Sequence, residues 1–551
     1  MKRKIISILF ALVLVLSFSL IPAMPAMAAT TWYVDDDTCP AVGDGSVGTP
    51  FCSIQDAIDA AVSGDTINVA AGTYDESVTV DKALTLLGAK ANVDPRGGAW
   101  TGDITTINAG AGNNGILITA SGVTVNGFKV TESGAFGGYI DYESGIHVFS
   151  GGSELTDIVI KNCWCDANYG SGILVEYAGS PIVEYNYCSN NGDPSANIAG
   201  IAGRELTGGF ISNNECFNNT NYGIYLGGRG ETNRDTSGTN VFDNELHSNG
   251  KYGIQIIGHG GRVEQITLES NNIHDNGRNG MKLTNATDCV IEGNHFTSNG
   301  FGTEATSDKY RYGVMLSTYS YSSLTENTSL TGNTFSGNNL GSIYMYEAEA
   351  SGCSLAGTVA HFNNFIEGSG KWGINNTSAY LVDATCNWWG DPSGPGGEGP
   401  GSGDAVSSNV DFVPWLSNPW FHIDEAKLDF KKKPDDDKVR IKGKLGLNLC
   451  GDGVDISDDV IVTVGLLSET ITMVEKGKKG EKWEYKRPKD DGGNIKHMTI
   501  DWKNGKFEIR MDKADLTGVT NPVTISVQIG GYIGSESILM KEKKKHWDYK
   551  D

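Results

Sequence analysis

The chain has 551 residues, 73 of them glycine, and a formal net charge of −24. That length is more than one ordinary domain needs, and 39% hydrophobic residues is too many for a disordered chain. So acidic a surface repels polyanions, which excludes nucleic acid as a partner.

Lys2, Arg3 and Lys4 precede an apolar run from Ile5 to Ile21, and Ala26-Met27-Ala28 follows as a small-x-small cleavage site. This is the pattern of a signal peptide over residues 1–28, and no later segment is apolar enough to span a bilayer. The mature protein is therefore expected outside the cell or on its surface, with no transmembrane segment after signal cleavage. Residues 30–64 read as an N-terminal strand and a capping helix. Ile54, Ala57, Ile58, Ala61 and Val62 form an apolar helical stripe that Ser53 can cap and Gly64-Asp65 ends. Cys39 and Cys52 flank a short Gly-rich loop and are the expected disulfide. Asp35, Asp36 and Asp37 are hard oxygen ligands that suit Ca²⁺, the one cofactor candidate.

Residues 65–420 are dominated by repeats. A Gly-apolar-x-apolar motif recurs every 23 to 33 residues, as in Gly172-Ile173-Leu174-Val175, Gly223-Ile224-Tyr225-Leu226 and Gly253-Ile254-Gln255-Ile256. Between copies lies apolar-x-x-Asn-x-apolar-x-x-Asn, clear in Val183…Asn186…Cys188…Asn191 and Val241…Asn244…Leu246…Asn249. Each period holds short strands and no segment of helical periodicity. A unit this small cannot bury its own apolar face, so units must stack. The fold class predicted is all-β: a right-handed parallel β-helix of roughly twelve coils, on the order of 60 Å long, with stacked Asn ladders at its turns. Cys165, Cys188 and Cys216 share one inward position, and are read as buried thiols rather than a metal site. Trp388, Trp389, Pro414, Trp415 and Trp420 are expected to close the far end.

Charge density changes near residue 421. Residues 30–420 hold 43 Asp/Glu against 15 Lys/Arg, whereas 421–551 hold 24 against 25. Alternating segments such as Val460-Ile461-Val462-Thr463-Val464, with turns such as Asn504-Gly505, predict a small C-terminal β-sandwich-like domain over 424–551.

Two segments carry a resemblance. Trp32-Tyr33-Val34-Asp35, Ile54-Gln55-Asp56-Ala57-Ile58, Gly64-Asp65-Thr66-Ile67 and Gly72-Thr73-Tyr74 resemble the entry region of pectin-lyase-like β-helix proteins. Asn387-Trp388-Trp389-Gly390 with Pro414-Trp415-Leu416 resembles the end of secreted β-helix repeat proteins. The resemblance implies the fold; its members include polysaccharide lyases, hydrolases, esterases, carbohydrate-binding modules and adhesin-like rods, so it does not choose an activity. The expected function is a secreted scaffold that binds extracellular polysaccharide or cell-envelope glycan. The alternatives are a polysaccharide lyase or glycoside hydrolase, lyase before hydrolase, and a structural cell-surface rod. A lyase needs a base beside a group that neutralises a uronate carboxylate, and Lys282 with Arg278, Arg262 and Arg311 is the densest basic cluster in the rod. Gly258-His259-Gly260 is similar to one piece of a polygalacturonase pattern whose partners are missing. His147, Tyr225 and Gln255 project from the same face as Lys282, and Tyr222, Tyr252, Tyr312 and Trp372 precede repeat glycines as an aromatic row suited equally to stacking sugar rings or to covering the sheet corner.

Overall fold

The computed structural model describes residues 29–551 except 40–42, 111, 134–142, 193–197, 229–233, 260, 320–322, 349–351, 420, 432, 434–435, 446–458, 477–481, 490, 502, 520, 522, 530–531 and 544. The expected signal peptide, 1–28, lies outside the described residues, as do Gly260 and Trp420. Among the described residues no helix is long and apolar enough to cross a membrane.

Alternating strands of three or so residues, joined by tight turns, leave every strand unpaired within its own coil, so each pairs with its counterpart one coil on. Three parallel sheets result. The first runs from Thr31–Val34 to Val410–Asp411 through fourteen strands, and the third from Gly72–Tyr74 to Asn364–Phe365 through eleven. The second runs from Val78–Val80 through Ile173–Gly179, Tyr222–Gly227 and Met281–Thr284 to Gly403–Val406. Fourteen rungs at ~4.8 Å make a rod of about 60 Å. Inward residues of all three sheets form one continuous core, from Val34 to Val410.

The register places Cys165, Cys188 and Cys216 opposite one another, continued by Leu246, Ile273, Phe296, Phe335 and Phe365. The three thiols are free and fully buried, and burial holds Cys165 and Cys188 well above the usual thiol range. Cys39 and Cys52 are bridged, with Cα atoms 5.1 Å apart. Cys386, which the sequence did not single out, is also disulfide-bonded.

Two Asn ladders line the turns on either side of the third sheet. One runs Asn186, Asn214, Asn244, Asn271, Asn294, Asn333, Asn363, Asn387, each amide donating to the next side-chain oxygen at 2.9–3.0 Å. The other runs from Asn168 to Asn338 and ends on Glu367, which accepts from the Asn338 backbone and amide at 2.6 Å each. The left-handed backbone of these turns belongs not to the asparagines but to the residue before each. Tyr185, Asn213, Asp243, Ser270 and Phe362 precede the first ladder with φ of 53–56°. The ladder Asn keeps its own N–H and both amide groups for bonds to neighbouring coils, while its predecessor turns the corner.

The N-terminal helix is Ile54–Ala60, capped by Ser53 and, more closely, by the Glu76 carboxylate, which accepts from Ile54 N at 2.8 Å and Gln55 N at 3.1 Å. Ile54, Ala57 and Ile58 seal the first coil, but Val62 lies beyond the helix and is 47% exposed. At the far end Trp389 is fully buried and stacks on Phe365 at 4.7 Å. Trp415 donates its indole N–H to Pro392 O at 3.2 Å.

The C-terminal domain begins at the strand Phe421–Asp429 and consists of an eight-stranded and a four-stranded antiparallel sheet that share one core, including Ile441, Val462 and Ile525. The Asn504-Gly505 turn joins Ile495–Asp501 to Lys506–Ala514. Phe362, Trp388 and Leu416 of the rod belong to the same core. The four-stranded sheet alternates buried Val462, Ile525 and Val527 with Thr463, Thr524, Ser526 and Gln528 on its other face, and that face is turned to the rod.

Candidate functional site

The outer face of the second sheet holds the residues expected from sequence. His147, Leu174, Ala202, Tyr225, Gln255, Lys282 and Met315 stand in one column, rung by rung. All of these except Lys282 are buried, and an outer apolar cluster of Leu174, Ala202, Tyr222, Tyr225, Tyr252 and Ile257 covers the sheet. The aromatic row exists, yet it is closed. Tyr222 and Tyr252 stack face to face at 5.8 Å and 5°, and Tyr312 stacks on Tyr344 at 5.0 Å. Rings piled along the rod axis offer outward edges rather than faces, and Tyr222, Tyr252 and Tyr312 are 4%, 2% and 2% exposed. Of the two roles expected of the row, these tyrosines fit that of covering the sheet corner; Trp372, opposite Gly341, is half-buried.

His147 is held by a buried carboxylate. Its Nε2 lies 3.0 Å from Glu176, which also pairs with Arg204 at 3.3 Å, all three buried. Glu176 and Arg204 occupy the same register position in adjacent coils. The sequence signal was present, opposite charges directly after two successive repeat motifs, and it was missed.

The basic cluster is real but differs in membership. Burial, then Lys309 and Arg278, push the Lys282 ammonium down to about 8. Burial and Arg278 also lower Lys251. Arg278 is paired with Glu304 at 3.4 Å and lies over Tyr310 at 4.5 Å. Arg311 turns instead to Asp308, at 3.5 Å, and the exposed Arg262 uses its backbone N–H on Asp235. Lys309 stands beside Lys282 instead, and Lys251 beside Arg278. His259 is kept below its usual range by burial and by Lys282.

Asp35 caps the short turn Asp36–Thr38 by accepting from Asp37 N, and Asp36 accepts from Thr73 N at 2.9 Å. Two of the three expected Ca²⁺ ligands thus bond backbone, and no group of three metal-binding side chains gathers among the described residues.

A wide opening lies elsewhere among the described residues. A cleft of about 990 Å³ separates the rod from the four-stranded sheet of the C-terminal domain. Its floor crosses four consecutive coils at the corner between the first and third sheets, where Tyr185, Asn213, Asp243 and Ser270 turn the chain. Phe210, 43% exposed, and Phe242 meet edge to face at 6.0 Å on this floor. Carboxylates and amides surround them, among them Asp243, Glu269, Asn240 and Asn272, while Thr463, Ser468 and Ser526 form the opposite wall. Asp243 is open to solvent yet crowded by the walls, and this desolvation, with Glu269 next to it, pushes its carboxyl up to about 6. Nothing local in the sequence marks this site, because its walls are about two hundred residues or more apart.

The family model "Right handed beta helix region" matches residues 114–234 and 232–387. None of the curated proteins compared matches the sequence. Similar solved structures include the A-module of a mannuronan C-5 epimerase from Azotobacter vinelandii, at 18% identity and TM-score 0.31, covering 59% of this chain and 96% of that one. An alginate lyase from Paenibacillus sp. is 14% identical at TM-score 0.33, covering 70% of this chain and 100% of that one. A lacto-N-biosidase from Eubacterium ramulus is 13% identical at TM-score 0.31, covering 65% and 60%. With three stacked parallel sheets and the repeats matched over residues 114–387, the chain carries a right-handed parallel β-helix.

Proposed function

We propose that this is an exported scaffold that binds an extracellular polysaccharide or cell-envelope glycan without transforming it, and that the glycan lies in the cleft between rod and sandwich. The cleft carries the reading. Its exposed Phe210 offers a flat apolar face for the C–H face of a sugar ring, and its amides, carboxylates and hydroxyls match the hydroxyl rim. Export by residues 1–28 and the acidic rod, which repels nucleic acid, agree with such a partner. Binding to a glycan array, repeated with Phe210→Ala and Phe242→Ala, tests it. Each substitution is expected to weaken binding about tenfold, as loss of one stacking contact does. Binding that survives both unchanged refutes the cleft as the site.

A lyase reading is favoured by one observation, the Lys282 ammonium lowered to about 8 beside Arg278 and Lys309. Such a lysine can serve as a base while its neighbours hold a uronate carboxylate. Release of unsaturated uronates that Lys282→Ala abolishes would support it.

A further inference from the structure

We infer that the cleft selects uncharged glycans and turns away uronates and other anionic chains, an inference that rests on the glycan-binding reading above. The observation is the distribution of charge across the two walls. Asp94, Glu215, Asp243, Glu245 and Glu269 line the rod side. Arg96, the guanidinium among the lining residues, is already taken: it pairs with Asp94 through Nε at 2.9 Å and Nη2 at 2.7 Å and lies over the Tyr185 ring. His247 faces Glu215 at 3.4 Å. The sandwich wall contributes Ile461, Leu466, Val519, hydroxyls and amides, and no ionisable side chain is among its lining residues. Among the described residues, this acidic floor under an uncharged lid leaves no unpaired cation to neutralise a ligand carboxylate or sulfate.

The elevated Asp243 and Glu269 carboxyls agree with this, since desolvation of both, and the Glu269 charge beside Asp243, already disfavour negative charge there. A uronate in the cleft would add to that repulsion inside walls that exclude much of the screening solvent. An uncharged sugar meets no such cost and can use the carboxylates as hydrogen-bond acceptors for its hydroxyls. The basic ledge at Lys282 has the opposite preference, so the two sites are separable by ligand charge.

The test is calorimetric titration of the full-length protein at about pH 8, where Asp243 is ionised, in the presence of chelator so that Ca²⁺ cannot bridge carboxylates. The probes are cello-, manno-, xylo- and chito-oligosaccharides on one side, oligogalacturonate and oligoalginate on the other. Expected is binding of at least one uncharged oligosaccharide, weakened about tenfold by Phe210→Ala, and no uronate binding that Phe210→Ala affects. Asp243→Asn with Glu269→Gln should then raise uronate binding about tenfold or more; Asn accepts the left-handed backbone at this position, so the fold is kept. Uronates that bind as tightly as uncharged chains, through Phe210, overturn the inference while leaving glycan binding intact. If no glycan of either kind binds in a Phe210-dependent way, the glycan-binding reading falls and takes this inference with it.

Discussion

Removing one rung of an Asn ladder isolates what the ladder contributes. Asn219 is 1% exposed, and its side chain makes four bonds. Its Oδ1 accepts from Asn191 N at 3.1 Å and Asn191 Nδ2 at 3.0 Å, and its Nδ2 donates to Cys188 O and Asn249 Oδ1, both at 3.0 Å. Asn219→Ala strands the Asn191 backbone N–H and one amide hydrogen in a site without solvent. At about 1–3 kcal/mol for each buried group left unsatisfied, the expected loss is about 3–5 kcal/mol. Asn219→Asp keeps the acceptors but sets carboxylate oxygen against Cys188 O and Asn249 Oδ1, and should cost at least as much. Urea unfolding followed by circular dichroism gives the difference, read at constant slope. A loss below about 0.5 kcal/mol, the ordinary scatter of surface substitutions, would show that the ladder is ornament to the stacked strands and not a determinant of them.

Burial pushes the Glu367 carboxyl at the ladder's end up to about 7, against partial relief from its Asn338 and Ser342 bonds. A raised acid favours the folded state only while protonated, so its stabilisation is full below about pH 4.5 and is lost as pH rises through about 7. Thermal melts across that window should fall more steeply for the wild type than for Glu367→Gln, and parallel curves would refute the assignment. The sandwich needs its first residues: Phe421 and Ile423 are 3% and 0% exposed, so a fragment 417–551 should be markedly more stable than 424–551, by about 3–5 kcal/mol for each lost core side chain. Equal urea midpoints for the two fragments would refute that.

The rod was legible because its evidence repeats. One Gly-apolar-x-apolar motif is weak, but ten in a fixed order leave only stacking as a way to bury them, and the Cys165-Cys188-Cys216 register followed from the same count. The site was not legible for the opposite reason. Tyr222 and Tyr252 were correctly aligned, yet alignment says nothing about whether rings show faces or edges, nor about the cluster that covers them. Phe210 and Asp243 looked like ordinary turn-flanking residues until Thr463 and Ser526 were brought opposite them. Glu76 as the cap of a helix starting at Ile54 is a tertiary contact of the same kind.

The sandwich is rooted at one height of the rod and reaches back to another. Its core grips Phe362, whose corner lies three rungs beyond that of Ser270, the last corner under the cleft. The distance is about 14 Å, set by the number of coils between and by nothing else. The pairing of walls is thus a count, much as a vernier reads one scale against another. A whole coil inserted between Ser270 and Phe362 would leave every ladder bond and strand pairing satisfied, yet slide the sandwich face along the rod by one rung. Asn213 and Asp243 would pass from beneath the wall or under a different part of it, and the cleft would be lined by a new set of side chains. In this architecture, adding or deleting a repeat re-indexes the two walls of the cleft without substituting a single residue in either.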